Sequence, residues 1–189
     1  KFTANLSRYM VSDDVRKPTP ETDFMAWTVN NYAGTQSIYE IISNELKYVH
    51  PEFAVLIMVD DIRGITVTPK ELAEYAGYKN CEFVEAWTYK DAENPLDARH
   101  RGSIIFSDTE LTREEDVILV ADGTSAEGRR YGHVIATIDG VATDIWFGFH
   151  DTNRNTNDGD EDTTDEEKQI TRLTNAVKAV ADSTGRPFI

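Results

Sequence analysis

The run from Phe53 to Val59 is the feature that most limits how this chain can fold. All seven residues are apolar, so neither face of the segment is suited to water. Seven residues are too few to cross a bilayer as a helix, and they fit the length of a strand. A strand that is apolar on both faces is typical of a sheet covered on both sides. The run therefore predicts a layered α/β structure.

Helical signals lie on either side of this strand and at the end of the chain. Ser37 and Glu40 predict a capping box at the start of an amphipathic helix that reaches Val49. Thr68 and Glu71 predict a second capped helix, and Gly77 ends it. A third helix is predicted from Thr164 to Gly185.

Strands fill the remaining segments, and Asp139-Gly140 predicts a tight hairpin turn because Gly accepts positive φ. A short strand is also expected at Pro187–Ile189. The mixture of βα and hairpin units predicts an α/β (α+β) fold with two packed mixed sheets flanked by helices. The other predicted strands are residues 24–29, 81–89, 103–106, 117–120, 131–138 and 141–149.

Length and charge restrict the class of protein. At 189 residues the chain suits one domain, and residues 1–22, which show no clear period, form a leader before a domain at 23–189. The net charge of −15 disfavours nucleic-acid partners, because such a surface repels a polyanion. No segment is long enough to span a membrane. The start at Lys1 and the acidic surface suggest a processed, secreted protein.

Four segments stand out in order along the chain: Met25–Asn30, Phe53–Asp60, Gly102–Ser107 and Ile145–His150. They resemble motifs of the endonuclease/exonuclease/phosphatase superfamily, which has the deoxyribonuclease I-like fold. The closing helix and Arg186-Pro187-Phe188-Ile189 resemble the approach to the family's Gly-Asp-Phe-Asn motif, so we expect a four-layer sandwich whose C-terminal part lies beyond Ile189. The resemblance runs from about Asp23 to Ile189.

The resemblance implies a Mg²⁺ site built from a Glu and an Asn, but the chain departs from that pattern. Thr28 stands where the family has its Asn, and Val59 stands where the family has its metal-binding Glu. Because an aliphatic side chain offers a cation no lone pair, Asp60 or Asp61 would have to replace that ligand. Because side chains alternate in direction along a strand, Asp61, rather than Asp60, shares a face with Val59 and lies about 7 Å further along.

The resemblance also nominates residues for acid–base and phosphate chemistry. His150 matches the histidine of the family's Thr-His-Leu strand, and Glu82 or Glu85 lies where a carboxylate assists it. Arg130, or its neighbour Arg129, lies near a position for a phosphate-contacting arginine. The structural alternatives are a polar strand end for His150 and a solvated turn for the two arginines.

A second metal hypothesis concerns the loop at residues 151–162. Asp151, Asn153 and Asn155 offer oxygen atoms at alternate positions, as Ca²⁺ loops do. Gly159 does not occupy the position that an EF-hand requires. The alternatives are an irregular Ca²⁺ site and a solvated acidic loop.

Three functional hypotheses follow. The first is a catalytically impaired deoxyribonuclease I-like domain, a pseudoenzyme used for extracellular binding, self-assembly or association with a protein partner. The second is a Mg²⁺-dependent phosphodiesterase, phosphatase or nuclease with a rearranged metal site. The third is an unrelated acidic structural protein.

Overall fold

A computed structural model describes residues 22–29, 36–62, 68–89, 99–119, 130–148 and 163–189. Two four-stranded sheets account for all the strands within these ranges. Sheet A has the order β1-β2-β4-β3, and in sheet B β7 pairs with β5, β6 and β8. The elements are β1 Phe24–Thr28, α1 Gln36–Val49, β2 Phe53–Ile62, α2 Pro69–Ala76, β3 Asn80–Tyr89, β4 Arg99–Ser107, β5 Thr112–Arg113, β6 Val117–Ile118, β7 Arg130–Ile138, β8 Val141–Gly148 and α3 Thr163–Thr184.

Strand β2 lies at the centre of sheet A, as its two apolar faces predict. It pairs in parallel with β1 and antiparallel with β4. Ala54 and Leu56 face a core that α1 and α2 cover, whereas Phe53 and Val55 face sheet B. We call the first core the helix-side core and the second the inter-sheet core. The run is therefore apolar throughout because both of its faces are covered.

A β-bulge interrupts β2 between Ile57 and Val59, where the register with β4 shifts by one residue. Simple alternation from Ala54 and Leu56 would put Met58 in the helix-side core. The extra residue gives that place to Val59, which is 2% exposed. The bulge thus decides which residues near the end of β2 face the helices.

Sheet B covers the other face of sheet A through the inter-sheet core. Val134 and Ala136 of β7 and Ile145 and Phe147 of β8 pack there against sheet A. The Asp139-Gly140 turn joins β7 to β8 with φ of 50° and 79°, as a hairpin turn with two positive φ values requires. The hairpin prediction is confirmed.

The C-terminal residues extend sheet B beyond β8. Asp144 N–H donates to Pro187 O, and Ile189 N–H donates to Asp144 O, each at 2.9 Å. Phe188 consequently forms a parallel bridge with Asp144. Of the strand predicted at residues 187–189, the structure forms only this isolated bridge.

Local signals gave the start of α2 correctly and the start of α1 incorrectly. Thr68 caps α2 in a full capping box with Glu71, and Gly77 ends that helix with φ of 85°. Helix α1 instead begins at Gln36, so Ser37 lies inside the helix and is not its cap. Two further differences are that β5 was not predicted and that β4 begins at Arg99, four residues before the start of the strand predicted at 103–106.

The layers follow the order helices, sheet A, sheet B, helix. Helices α1 and α2 cover sheet A, and α3 lies against the outer face of sheet B, where Arg172 Nη1 donates to Leu119 O. The predicted α/β class with two packed sheets and flanking helices is confirmed. Within the described ranges, no helix combines the length and the apolar character that a membrane crossing needs.

Candidate functional site

Several of the predicted site residues meet at one end of the two sheets. Val59 of β2 pairs with Gly102 of β4, which pairs with Glu85 of β3. On sheet B, Gly132 lies opposite Val84, since a Cβ at Gly132 would lie 3.1 Å from Val84 Cβ. The carboxyl ends of β2, β3 and β8 and the amino ends of β4 and β7 therefore meet here. We call this the Gly102 end.

The backbones of the three possible replacement ligands lie close to the Gly102 end. Thr28 is exposed and pairs with Ile57, the last residue of β2 before the bulge. Asp60 pairs with Arg101, and Asp61 pairs with His100. Among the residues whose placement is described, no group of three His, Cys, Asp or Glu side chains is arranged to hold a metal ion.

Val59, the position matched to the family's metal-binding Glu, is part of the helix-side core. Its neighbours there include Leu56, Leu72 and Ile104, all of them 1% exposed or less. A carboxylate at this position would lie among aliphatic groups, where an unpaired charge is strongly disfavoured. The backbone in this chain therefore does not present the matched position as a ligand.

The remaining nominated residues within the described ranges lie on β3 and β7, and of these Glu85 and Arg130 lie near the Gly102 end. Glu82 lies 3.6 Å from Arg113 Nη1, and Arg113 also donates to Asp116 Oδ1 at 2.6 Å, so Glu82 belongs to an ion-pair network between the sheets. Glu85 is half-buried and pairs with Gly102. Arg130 is exposed at the first position of β7. The nominated residues that lie outside the described ranges are His150, Arg129, Asp151, Asn153 and Asn155.

A buried charged cluster that the sequence did not predict lies on the outer face of sheet B. His133 Nε2 donates to Asp144 Oδ1 at 2.7 Å, and both residues are at most 3% exposed. Arg186 holds the same carboxylate with two bonds, from Nε to Oδ2 and from Nη2 to Oδ1, each 2.9 Å long. The ring of Trp146 stacks on His133 with a centroid distance of 3.8 Å. We call these four residues the Asp144 cluster.

The cluster keeps Asp144 ionised despite its burial. Burial by itself would raise the pKa of Asp144, but the hydrogen bonds from Arg186 and His133 more than offset it, so the pKa lies below its usual value. The same bidentate pair raises the pKa of Arg186. Asp144 therefore fixes one imidazole and one guanidinium beneath α3.

A more exposed His–Asp pair lies at the opposite end of sheet A. His50 Nε2 and Asp108 Oδ2 are 3.0 Å apart, and both side chains are about two-fifths exposed. The hydrogen bond from His50 is the main reason why the pKa of Asp108 is lowered. His50 also stacks on Tyr78, whose pKa is raised to about 12, chiefly by burial. This pair is remote from the Gly102 end.

Alternation along β7 and β8 was the only sequence signal for the Asp144 cluster. His133 precedes Val134 of the inter-sheet core, and Asp144 and Trp146 flank Ile145 of the same core. That pattern places the polar residues on the outer face. It does not reveal that Arg186 joins them, because Arg186 lies far along the chain.

Comparison with solved structures reveals close matches to the architecture described above. An endonuclease/exonuclease/phosphatase from Beutenbergia cavernae superposes with a TM-score of 0.64 at 15% identity, over 82% of this chain and 43% of that one. Truncated TDP2 from Caenorhabditis elegans matches at 0.58 and 11%, over 86% and 57%. A mannosyl-6-phosphatase from Bacteroides thetaiotaomicron matches at 0.57 and 12%, over 89% and 63%.

The chain has the deoxyribonuclease I-like fold. It spans less than two thirds of the length of each of these three structures. No family model and no curated protein matches the sequence. The expected deoxyribonuclease I-like architecture is confirmed, and at these identities the likeness concerns the fold alone. A metal site in this chain therefore has to be argued from the side chains of this chain, and not from the fold.

Proposed function

We propose that this chain is a deoxyribonuclease I-like domain with an impaired phosphate-cleaving centre, and that it serves to bind a protein partner or a second copy of itself. The observation that carries the proposal is the burial of Val59 in the helix-side core. Mg²⁺ requires hard oxygen ligands, and Val59 supplies none where the family has its Glu. Thr28 is a weaker ligand than the Asn that it replaces.

The surface charge supports the same function. With 34 acidic and 19 basic residues, the chain repels phosphate-rich substrates such as nucleic acids unless a cation screens them. A binding role needs no such screening. We further propose that the protein acts outside the cell, where its acidic surface favours solubility.

Hydrolysis assays test whether the chain has lost phosphate-ester hydrolysis. The full-length gene product is incubated with Mg²⁺ or Mn²⁺ and either bis(p-nitrophenyl) phosphate or p-nitrophenyl phosphate, with an active nuclease of the same fold as positive control. We expect release of p-nitrophenol no faster than in buffer containing chelator. Turnover that chelator abolishes and that His150→Ala removes would overturn the proposal.

Sedimentation and cell fractionation test the binding role and the location. We expect concentration-dependent self-association, or co-purification of one stoichiometric protein partner, from the extracellular fraction. A strictly monomeric protein with no partner in that fraction would contradict the proposal. Titration with Ca²⁺ examines the acidic loop separately, because heat released on binding and lost in Asp151→Asn would assign a Ca²⁺ site there.

A second candidate function, a metal-dependent phosphoric ester hydrolase, is favoured by the bulge in β2. Beyond the bulge, Asp60 is in register with Arg101, and Ser103, two residues further along β4, lies on the inter-sheet side with its partner Val84. Counted along β4, the backbone position of Asp60, rather than that of Asp61, is therefore the one in step with these inter-sheet residues near the Gly102 end. Asp60 is thus the better replacement ligand for Mg²⁺.

The two aspartates form a matched pair for testing this alternative. If the chain is a hydrolase, Asp60→Asn abolishes Mg²⁺-dependent turnover and Asp61→Asn leaves most of it. Equal effects of both substitutions would contradict a role for Asp60 as the metal ligand.

A further inference from the structure

A cleft with a volume of about 400 Å³ separates the C-terminal half of α3 from the outer face of sheet B. His133, Trp146 and Arg186 of the Asp144 cluster form one side, and Ala176 and Val180 of α3 contribute an apolar wall. Clefts of this size accommodate small organic molecules. The cleft lies on the face of sheet B that points away from the inter-sheet core, so it is separate from the Gly102 end.

Two residues that line the cleft, Trp146 and Arg186, carry N–H groups that no acceptor in the described part of the chain uses. The indole Nε1 of Trp146 is fully buried, and within the described part of the chain no acceptor bonds to it. Two of the five N–H groups of Arg186 donate to Asp144. A buried donor without an acceptor is costly, so a ligand oxygen at this place would be favoured.

Other residues that line the cleft supply acceptors and negative charge. Glu114 and Glu115 both line it, and Asp116, which also lines it, is engaged by Arg113. The charge of Arg186 is matched by Asp144, to which it is bonded. The carboxyl end of α3, with Ser183 and Thr184, adds the negative end of a helix dipole. The lining therefore repels anions, although it contains donors.

We infer that this cleft binds a monosaccharide-sized ligand that carries several hydroxyl groups and no negative charge, and that an amino sugar binds more tightly than a neutral sugar. A sugar hydroxyl accepts from Trp146 Nε1 or Arg186 and donates to Glu114 or Glu115, which uses both kinds of group. An ammonium group adds a charge-assisted bond to the glutamates. A phosphorylated sugar meets the same carboxylates as a like charge.

The structural alternative is that the Asp144 cluster only fastens the C-terminal residues to β8. Under that alternative, Trp146 matters through its ring and not through its N–H group. Trp146→Phe separates the two roles, because it keeps an aromatic ring against His133 and removes the donor.

Isothermal titration and saturation-transfer NMR at mildly acidic pH measure binding of glucosamine, glucose and glucose 6-phosphate to the full-length protein. We expect glucosamine to bind several-fold more tightly than glucose, and glucose 6-phosphate to bind most weakly. Trp146→Phe weakens binding of glucosamine and of glucose by about threefold to tenfold. Glu115→Gln weakens glucosamine binding more than glucose binding.

Matched controls are Trp27→Phe, which lies against the helix-side core, and Glu110→Gln, an exposed carboxylate that does not line the cleft. Both should bind the three probes as the wild type does, and circular dichroism confirms that every variant is folded. The inference is overturned if the wild type binds none of the probes at millimolar concentration. It is equally overturned if folded Trp146→Phe binds the sugars unchanged, or if glucose 6-phosphate binds tightest. The hydrolysis assays are independent of all these outcomes.

Discussion

The two helix-covered faces of this molecule are built on opposite principles. Beneath α1 and α2, sheet A presents a helix-side core of aliphatic and aromatic groups, in which Leu46, Leu56 and Ile104 are fully buried. Beneath α3, sheet B presents an ionised carboxylate that holds an imidazole and a guanidinium. Apolar burial is favourable in almost any arrangement, whereas a buried charge is tolerated only with its partners in place. The first face therefore supports the fold, and the second depends on particular partners.

The largest expected effect is that of a charge placed in the apolar face. Val59→Glu should destabilise the fold by more than about 4 kcal/mol, because an unpaired carboxylate would enter the helix-side core. Urea unfolding followed by tryptophan fluorescence measures the change. Val141→Glu, at a position 51% exposed, is the control and should change stability by about 0.5 kcal/mol at most. A Val59→Glu protein that stays folded and binds Mg²⁺ would contradict the claim that the helix-side core excludes charged groups.

A somewhat smaller effect is expected when the charged face loses its carboxylate. Asp144→Ala should cost about 3 kcal/mol, because the buried His133 and the guanidinium of Arg186 lose their common acceptor. The control is Asp182→Ala, which breaks an exposed pair with Lys178 and should cost about 0.3 kcal/mol. Similar losses in the two variants, by urea unfolding, would show that the Asp144 cluster behaves as an ordinary surface ion pair.

Helix capping contributes to stability through the covering helices rather than through the packing of either face. Thr68→Ala removes the side-chain acceptor that bonds Glu71 N–H and should cost about 1 kcal/mol. Thermal unfolding detects the shift. Ser183→Ala near the end of α3 serves as control, since Ser183 Oγ donates only to Val180 O on an exposed surface. An equal loss in both variants would argue against a specific contribution from the capping box.

The smallest expected effect is the response to mild acid. The pKa of Asp144 is lower in the folded state, so its contribution to stability is present above the ordinary carboxyl pKa and is lost as the pH falls through the lowered value. Between pH 7 and pH 4 the loss should reach only about 0.3 kcal/mol, and it should steepen at lower pH.

Urea unfolding from pH 7 to pH 3, compared between the wild type and Asp144→Asn, measures this dependence. The variant should be less stable at pH 7 and should vary less with pH. Asp108→Asn provides the exposed comparison, because the pKa of Asp108 is lowered in the same direction. A pH profile that Asp144→Asn leaves unchanged would contradict ionisation of the buried carboxylate.

The candidate site was only partly predictable. The resemblance nominated Thr28, Asp60 and Asp61, and the structure places their backbones close to the Gly102 end. The sequence did not foresee the bulge at Met58, whose extra residue turns Val59 towards the helices. Face assignments from strand alternation fail at a bulge, since one inserted residue reverses every position beyond it.

The sequence by itself determined that the central strand is covered on both faces, and it determined several element boundaries. The apolar run at Phe53–Val59, the Thr68–Glu71 capping box and the Asp139-Gly140 turn each depend on residues that are close together in the chain, so their physics is local. Only the tertiary structure decided that Val59 is a core residue and that Arg186 reaches Asp144. Those outcomes depend on which strands pair and in what register, and contacts between distant segments are fixed by the packing of the whole domain.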